Sequence, residues 1–276
     1  MFGKSRQAYY DKYRRQMRSE TDESLILDLV FAIRREIPGL GTSKLNLLLQ
    51  STFKKSGIKM GRDKLHELLR CSGLLISRKK RLPKTTDSRH WMKRYPDLIQ
   101  GLTINSTEMV WVCDLTYICV GRDFSYLSLI TDNHSKMIVG YCLHPFLSTD
   151  GCMNALEMAL ATRNKSEQEL IHHSDRGSQY CSFQYVSRLR EFNIQISMTQ
   201  SGSPYDNAVA ERVNGILKTD FNLNRVFSNH SEALLATVAA IRNYNNLRPH
   251  MSCDNMTPIL AHELDLPVMR RRWKKC

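Results

Sequence analysis

The chain has 276 residues, 42% of them hydrophobic and 24% charged, the composition of a soluble globular protein with one large domain or two modest ones. No apolar run approaches the roughly eighteen residues of a membrane span, and the basic start MFGKSRQAYYDKYRRQ lacks the apolar centre of a secretory signal. The formal net charge is +13: residues 1–100 hold 23 Lys and Arg against 10 Asp and Glu, and residues 101–276 hold 17 of each. A basic segment joined to a charge-balanced one points to a polyanion reader attached to a second module, an asymmetry that a merely solubilising surface does not explain.

The first segment reads as helices. Leu25, Ile26, Leu29, Val30 and Ile33 share one stripe over residues 23–36. Gly39 and Gly41 break it, and Thr42 is the expected N-cap of a second helix carrying Leu45, Leu48 and Leu49. After Ser56-Gly57 a third helix is expected from near Gly61, carrying Leu65, Leu68 and Leu69 and ending before Gly73. Three short helices with a tight turn before the last have the pattern of a helix-turn-helix, although small helical bundles share it. Lys59, Arg62 and Lys64 fall around the start of that last helix, where a recognition helix meets DNA. The run RKKRLPK at 78–84, with Lys79, Lys80 and Arg81, reads as a linker that tracks phosphates or as a solvated hinge. The expected organisation is a basic helical segment 1–77, a linker 78–105, a core 106–265 and a basic tail 266–276.

From residue 106 the texture changes. Residues 109–120, 124–131 and 136–143 are aromatic and β-branched runs separated by turn residues, which predicts three successive strands in an antiparallel meander. A helix is expected at 150–163, a strand at 169–173, a helix at 180–192 and a strand at 194–199. Two more helices follow, at 205–223 and 231–246. This order predicts an α/β fold with a mixed sheet and flanking helices. The eight cysteines form no C-x-x-C and no zinc-ligand spacing with the nine histidines, so reduced thiols, a cytoplasmic setting and no structural zinc are expected.

Three carboxylates stand out. Asp114 lies inside the apolar run WVCDLTYI, where a charge is costly unless paired or bound to a metal. Asp175 ends the short strand ELIHHSD, and functional groups of α/β sheets gather at strand ends. Glu211 falls in a helix expected to start with Ser203 as N-cap, Pro204 at the first position and Asp206 at the third. In that helix Val209, Val213, Ile216, Leu217 and Phe221 form the buried stripe, and Asn207, Glu211, Asn214, Gly215 and Lys218 form another face. Any one of these acids alone is more often an ordinary surface or ion-paired carboxylate. Their joint spacing is not, because 35 residues separate Asp175 from Glu211.

That spacing resembles the D,D(35)E signature of transposases and integrases with a ribonuclease-H-like fold. The segments WVCDLTYI, HHSDRGSQY, SGSPYDNAVAERVNGILKTD and YNNLRPH resemble the OrfB-type transposases of bacterial insertion sequences, the IS-three group, over almost the whole chain. The resemblance implies an α/β, ribonuclease-H-like mixed sheet preceded by a small all-α helix-turn-helix-like segment. It implies DNA cleavage and strand transfer at the ends of an insertion sequence, with Asp114, Asp175 and Glu211 as both catalytic residues and ligands of two Mg²⁺ or Mn²⁺ ions. Lys218 stands where the superfamily places a DNA-touching basic residue, and Arg212 is a further DNA-contact candidate; Asn207 is a candidate to position DNA or the metal shell and His173 to orient the Asp175 carboxylate or contact DNA, with a helix-start residue and a structural histidine as their ordinary readings.

Phosphoryl transfer gives an independent reason for the same acids. Two cations held about 3.5–4 Å apart clamp the attacking and leaving oxygens, and hard Mg²⁺ prefers carboxylate oxygen. The implied partners are terminal inverted repeats, target DNA and further copies of the chain. The family's upstream helix-turn-helix product carries a leucine zipper; this chain shows no heptad run, so that product is expected as a separate partner or a fused upstream half. The expected setting is the bacterial cytoplasm, at the nucleoid. A DNA-binding regulator with a decayed active site and a nuclease for RNA–DNA hybrids are the competing functions. Asp132 reads as a turn residue, Trp111 and Tyr117 as core residues on the face opposite Asp114, and the Arg270–Arg272 and Lys274–Lys275 tail as a DNA arm or a disordered end.

Overall fold

The computed structural model describes residues 6–76, 92–165, 167–200 and 207–266. The chain divides into two compact units, Met1–Lys80 and Arg81–Cys276. The basic positions Lys79, Lys80 and Arg81, the expected helix start at Ser203, Pro204 and Asp206, and the tail from 267 lie outside the described residues.

The first unit is three helices, α1 (Arg6–Glu36), α2 (Thr42–Lys55) and α3 (Arg62–Cys71). Its core is Ile26, Val30, Ile37, Leu40, Leu45, Leu49, Phe53, Ile58, Leu65 and Leu69. α1 begins seventeen residues before the apolar stripe does, because the preceding Arg, Lys, Gln, Met and Glu residues are strong helix formers without needing a buried face. Gly41, not Thr42, occupies the cap position of α2; Thr42 is already helical and its hydroxyl lies 3.4 Å from His66 Nδ1. α2 closes with Gly57 at φ +67°, and Ile58 N–H reaches back to Phe53 O at 2.9 Å. That closure needs a left-handed residue and sets the tight turn into α3.

The second unit is built on a five-stranded sheet in the order β3-β2-β1-β4-β5. β1 (Val110–Val120), β2 (Asp123–Asp132) and β3 (Ile138–His144) form the antiparallel meander. β4 (Ile171–Ser174) and β5 (Gln195–Met198) then add in parallel on the other side of β1. The mixed sheet expected from the sequence is therefore present. α4 (Thr149–Thr162), α5 (Ser178–Cys181) and α6 (Phe183–Glu191) serve one face, enclosing Trp111, Cys113, Ile130, Ala155, Leu156, Tyr185, Leu189 and Met198. Gly140 lets α4 lie against β3, since a Cβ there would come within 2.1 Å of Ala155 O. The helix expected at 180–192 is broken at Ser182, whose hydroxyl accepts from Tyr185 N–H and restarts the chain as α6.

The opposite face carries Val110, Val112 and Ala210, with α7 (Ala208–Asp220) and α8 (His230–Leu247) beside it and α9 (Pro258–Leu264) following. Residues 92–105, expected as linker, belong to this unit. Leu98 N–H donates to Ser197 Oγ at 2.8 Å, Met198 N–H donates to Pro96 O, and Ile99 and Ile104 pack on the Val110–Val112 cluster. Their apolar side chains have more to gain against the sheet than in water. Asp132, expected as a turn residue, is instead the last residue of β2 and fully buried; its carboxylate accepts from the N–H groups of Glu108, His134 and Ser135 and from Ser135 Oγ, tying down the turn that follows.

Candidate active site

The sheet register brings two of the three acids together. β1 and β4 pair in parallel with Val112 opposite His173. Two residues further along each strand stand Asp114 and Asp175, on the same face by strand alternation. β4 ends at Ser174, so Asp175 occupies the strand end, where its Oδ1 accepts from Gly177 N–H at 2.9 Å. Asp114 remains in the middle of β1, half-buried.

α7 is laid along β1 by three hydrogen bonds. Asn207 Nδ2 donates to Cys113 O at 2.8 Å, Asn214 Nδ2 to Asp114 Oδ2 at 2.6 Å, and Lys218 Nζ to Thr116 Oγ1 at 2.6 Å. Residues 207, 211, 214 and 218 recur at helical spacing on one face. Glu211 is the fourth member of that stripe, between the two asparagines and exposed. The apolar stripe expected beside it is real: Val213, Ile216, Leu217 and Phe221 are buried and Val209 partly so. Among the described residues α7 runs from Ala208 with Asn207 in the cap position; the Asn207 side chain makes no cap bond, and its amide nitrogen donates to β1.

Burial, then the neighbouring Asp175, push the Asp114 carboxyl up to about 7. Asn214 and the backbone N–H of Leu115 pull it back, and Glu211 adds a last upward push. A carboxylate held this way has like charges beside it and too little water to screen them, the condition a divalent cation relieves. Among the described residues no group of three His, Cys, Asp or Glu side chains is close enough to hold a metal ion. Asp114, Asp175 and Glu211 offer hard carboxylate oxygens, the donor type that Mg²⁺ prefers.

The remaining candidates separate. Lys218 is half-buried at the site; burial lowers its ammonium below the ordinary value while Asp114 opposes that, and Nζ stands 5.2 Å from the centre of the Tyr117 ring. Tyr117, expected in the core, is thus only half-buried, whereas Trp111 is in the core at 1% exposure. Arg212 is exposed on α7, off the stripe. His173 is 0% exposed, with Nδ1 2.8 Å from Ser197 Oγ and 4.0 Å from Asp97 Oδ1. It lies on the Asp175 face, as alternation requires, and is held inside the core unit between Ser197 and Asp97. In the first unit Lys59, Arg62 and Lys64 are exposed around the start of α3, and Arg62 is held by Asp63. Sequence reasoning placed Asn214 on the Glu211 face without finding its bond to Asp114. It also missed the structural use of YNNLRPH. Asn245 there bonds both the N–H and the C=O of Ile138 beside the irregularity between β2 and β3, and a short polar residue on a helix carries no sign of such a distant partner.

Comparison with known proteins gives the family. Two family models, both described as the integrase core domain, match residues 106–204 and 192–258. The chain is 33% identical over 271 residues to a 31 kDa protein of insertion element IS600 of Shigella sonnei, covering 95% of this chain and 96% of that one. It is 31% identical to a protein assigned as the transposase of insertion sequence element IS986/IS6110 of Mycobacterium tuberculosis, over 75% of this chain and 77% of that one. Among solved structures, the HTLV-2 integrase catalytic core in complex with magnesium aligns with 56% of this chain and 96% of its own, at 17% identity and a TM-score of 0.45. An integrase core of mixed sheet and flanking helices defines the class, a polynucleotidyl transferase acting on DNA. Within it, the chain belongs to the DDE-type insertion-sequence transposases of the IS-three group. Among the described residues no helix is long and apolar enough to cross a membrane.

Proposed function

We propose that this transposase cuts and joins DNA at the ends of its element with Asp114, Asp175 and Glu211 as the catalytic acids and the ligands of two divalent cations, Mg²⁺ or Mn²⁺. The observation that carries the reading is the placement of Asp114, half-buried in β1, beside Asp175 just past the end of the parallel strand β4, where burial and Asp175 push the Asp114 carboxyl up to about 7. The cations would neutralise charge on the attacking and leaving oxygens of an in-line displacement.

The chain's own residues do the positioning. Asp114 and Asp175 fix one end of the reacting phosphate's site on the rigid sheet, and α7 holds Glu211 over it through Asn207 and Asn214. Lys218, one end of the same stripe, offers an ammonium to the DNA backbone near the site. The first unit, with Lys59, Arg62 and Lys64 around the start of α3, reads the terminal inverted repeat. Lys79, Lys80 and Arg81 follow phosphates next to it, and the core engages target DNA. Joining two ends calls for more than one copy of the chain, with or without an upstream helix-turn-helix partner, at the nucleoid in the cytoplasm.

The test is to incubate the full chain with labelled element ends, scrambled duplex and an RNA–DNA hybrid in Mn²⁺. Nicked and joined products specific to the ends are expected. End binding with no nicking in any metal would make the chain a regulator, and a preference for the hybrid would make it a nuclease of a different substrate.

A further inference from the structure

Asn207 and Asn214 flank Glu211 on α7, four residues before it and three after, and both are buried, at 7% and 6% exposure. Each amide nitrogen is committed to an oxygen on β1: Asn207 Nδ2 donates to the backbone carbonyl of Cys113 and Asn214 Nδ2 to the carboxylate of Asp114. That fixes the orientation of both amides, since turning either would set oxygen against oxygen. The amide oxygens, Asn207 Oδ1 and Asn214 Oδ1, are consequently both buried with no hydrogen-bond partner among the described residues. These two orphaned acceptors lie one turn either side of Glu211, on the side chains that hold Cys113 and Asp114, and buried carbonyl oxygens nearly always find a donor.

The missing partners must be donors. A water bound to a divalent cation is the strongest candidate, since coordination commits its lone pair and leaves two hydrogens to give, and Mg²⁺ keeps several waters when bound by few carboxylates. Resting on the cation site proposed above, we propose that Asn207 and Asn214 are positioning residues whose buried amide oxygens accept from the water shell of the cation at Asp114 and Asp175. The same two side chains set the register of α7 on β1, so the water shell and Glu211 are aligned by one device.

The experiment measures Mn²⁺ binding to the full chain by calorimetry, together with melting in EDTA and in Mn²⁺. Asn214→Leu and Asn207→Leu remove the acceptors and should weaken Mn²⁺ binding by roughly 10- to 100-fold, the usual cost of losing such outer partners of a metal. Asn214→Asp keeps an acceptor oxygen but sets a carboxylate against Asp114. It should melt lower in EDTA, be restored by Mn²⁺ and bind the ion at least as tightly as the parent. Parental Mn²⁺ affinity in both leucine variants would overturn the proposal and leave the asparagines as pegs between α7 and β1. So would an Asn214→Asp chain that Mn²⁺ does not restore. Asp175→Asn is the control: if it too leaves Mn²⁺ binding intact, the cation site itself is misplaced, whereas loss there with parental binding in the asparagine variants refutes this inference alone.

Discussion

Arg248 Nε donates to Asp220 Oδ2 at 2.9 Å, with the arginine side chain only 3% exposed and the aspartate 17%. The bond ties the residue just past α8 to the last residue of α7, the helix that carries Glu211. The arginine of YNNLRPH is therefore a brace inside the core unit rather than a surface contact. Removing one partner of a buried pair leaves the other charge uncompensated, a loss of about 3 kcal/mol. Arg248→Ala should lower the stability of the full chain by that order in urea unfolding, and pairing it with Asp220→Ala should recover part of the loss. A change below about 0.5 kcal/mol would show that the brace does not hold.

A second prediction concerns pH. His172 is buried, with Nε2 2.8 Å from both Cys113 Sγ and Tyr185 OH. Burial, helped by neighbouring His173, drives its imidazole down to about 3 from the usual 6.5. Between those values the unfolded chain binds a proton that the folded chain refuses, so stability rises with pH. The contribution is complete above pH 6.5 and is lost as pH falls toward 3. One such proton corresponds to a slope of up to about 1.4 kcal/mol per pH unit. His172→Leu should remove that slope between pH 4 and 6 in urea unfolding; an unchanged slope would assign the acid sensitivity elsewhere.

A third addresses the reading of ends. Arg62 places Nε and Nη2 on Asp63 Oδ1, and both side chains are well exposed. If α3 meets DNA, Lys64→Ala and Arg62→Ala should each flatten the salt dependence of end binding by about 0.9 in log–log slope. Asp63→Asn frees the arginine and should tighten binding by up to roughly fivefold, the ceiling for a surface pair. Fluorescence anisotropy on specific and scrambled ends at several salt concentrations measures all three. Parental slopes in both alanine variants would remove α3 from the DNA interface.

Much of this could be read in the sequence because it rests on short-range rules. The meander was visible in alternation and turns, and the pairing of Asp114 with Asp175 follows once their strands are adjacent and parallel. What was hidden depends on distant partners. The bond from Asn207 to Cys113 O, 94 residues away, is invisible locally. Residues 92–105 looked like linker because Met92, Tyr95, Ile99 and Ile104 are too sparse for a periodic pattern, yet each packs on a cluster of the core. His173 lies on the expected face and is fully buried: alternation gives the direction of a side chain, not what covers it.

The central claim is that three acids, and not merely an integrase-like fold, perform the chemistry. The measurement is strand transfer by the full chain on labelled element ends in Mg²⁺ and in Mn²⁺, with Asp114→Asn, Asp175→Asn and Glu211→Gln compared at equal end occupancy. Each substitution should abolish both nicking and joining in both metals while end binding stays at the parental level. Parental activity in any one of the three would contradict the assignment of that acid, and parental activity in all of them would place the active site elsewhere in the fold.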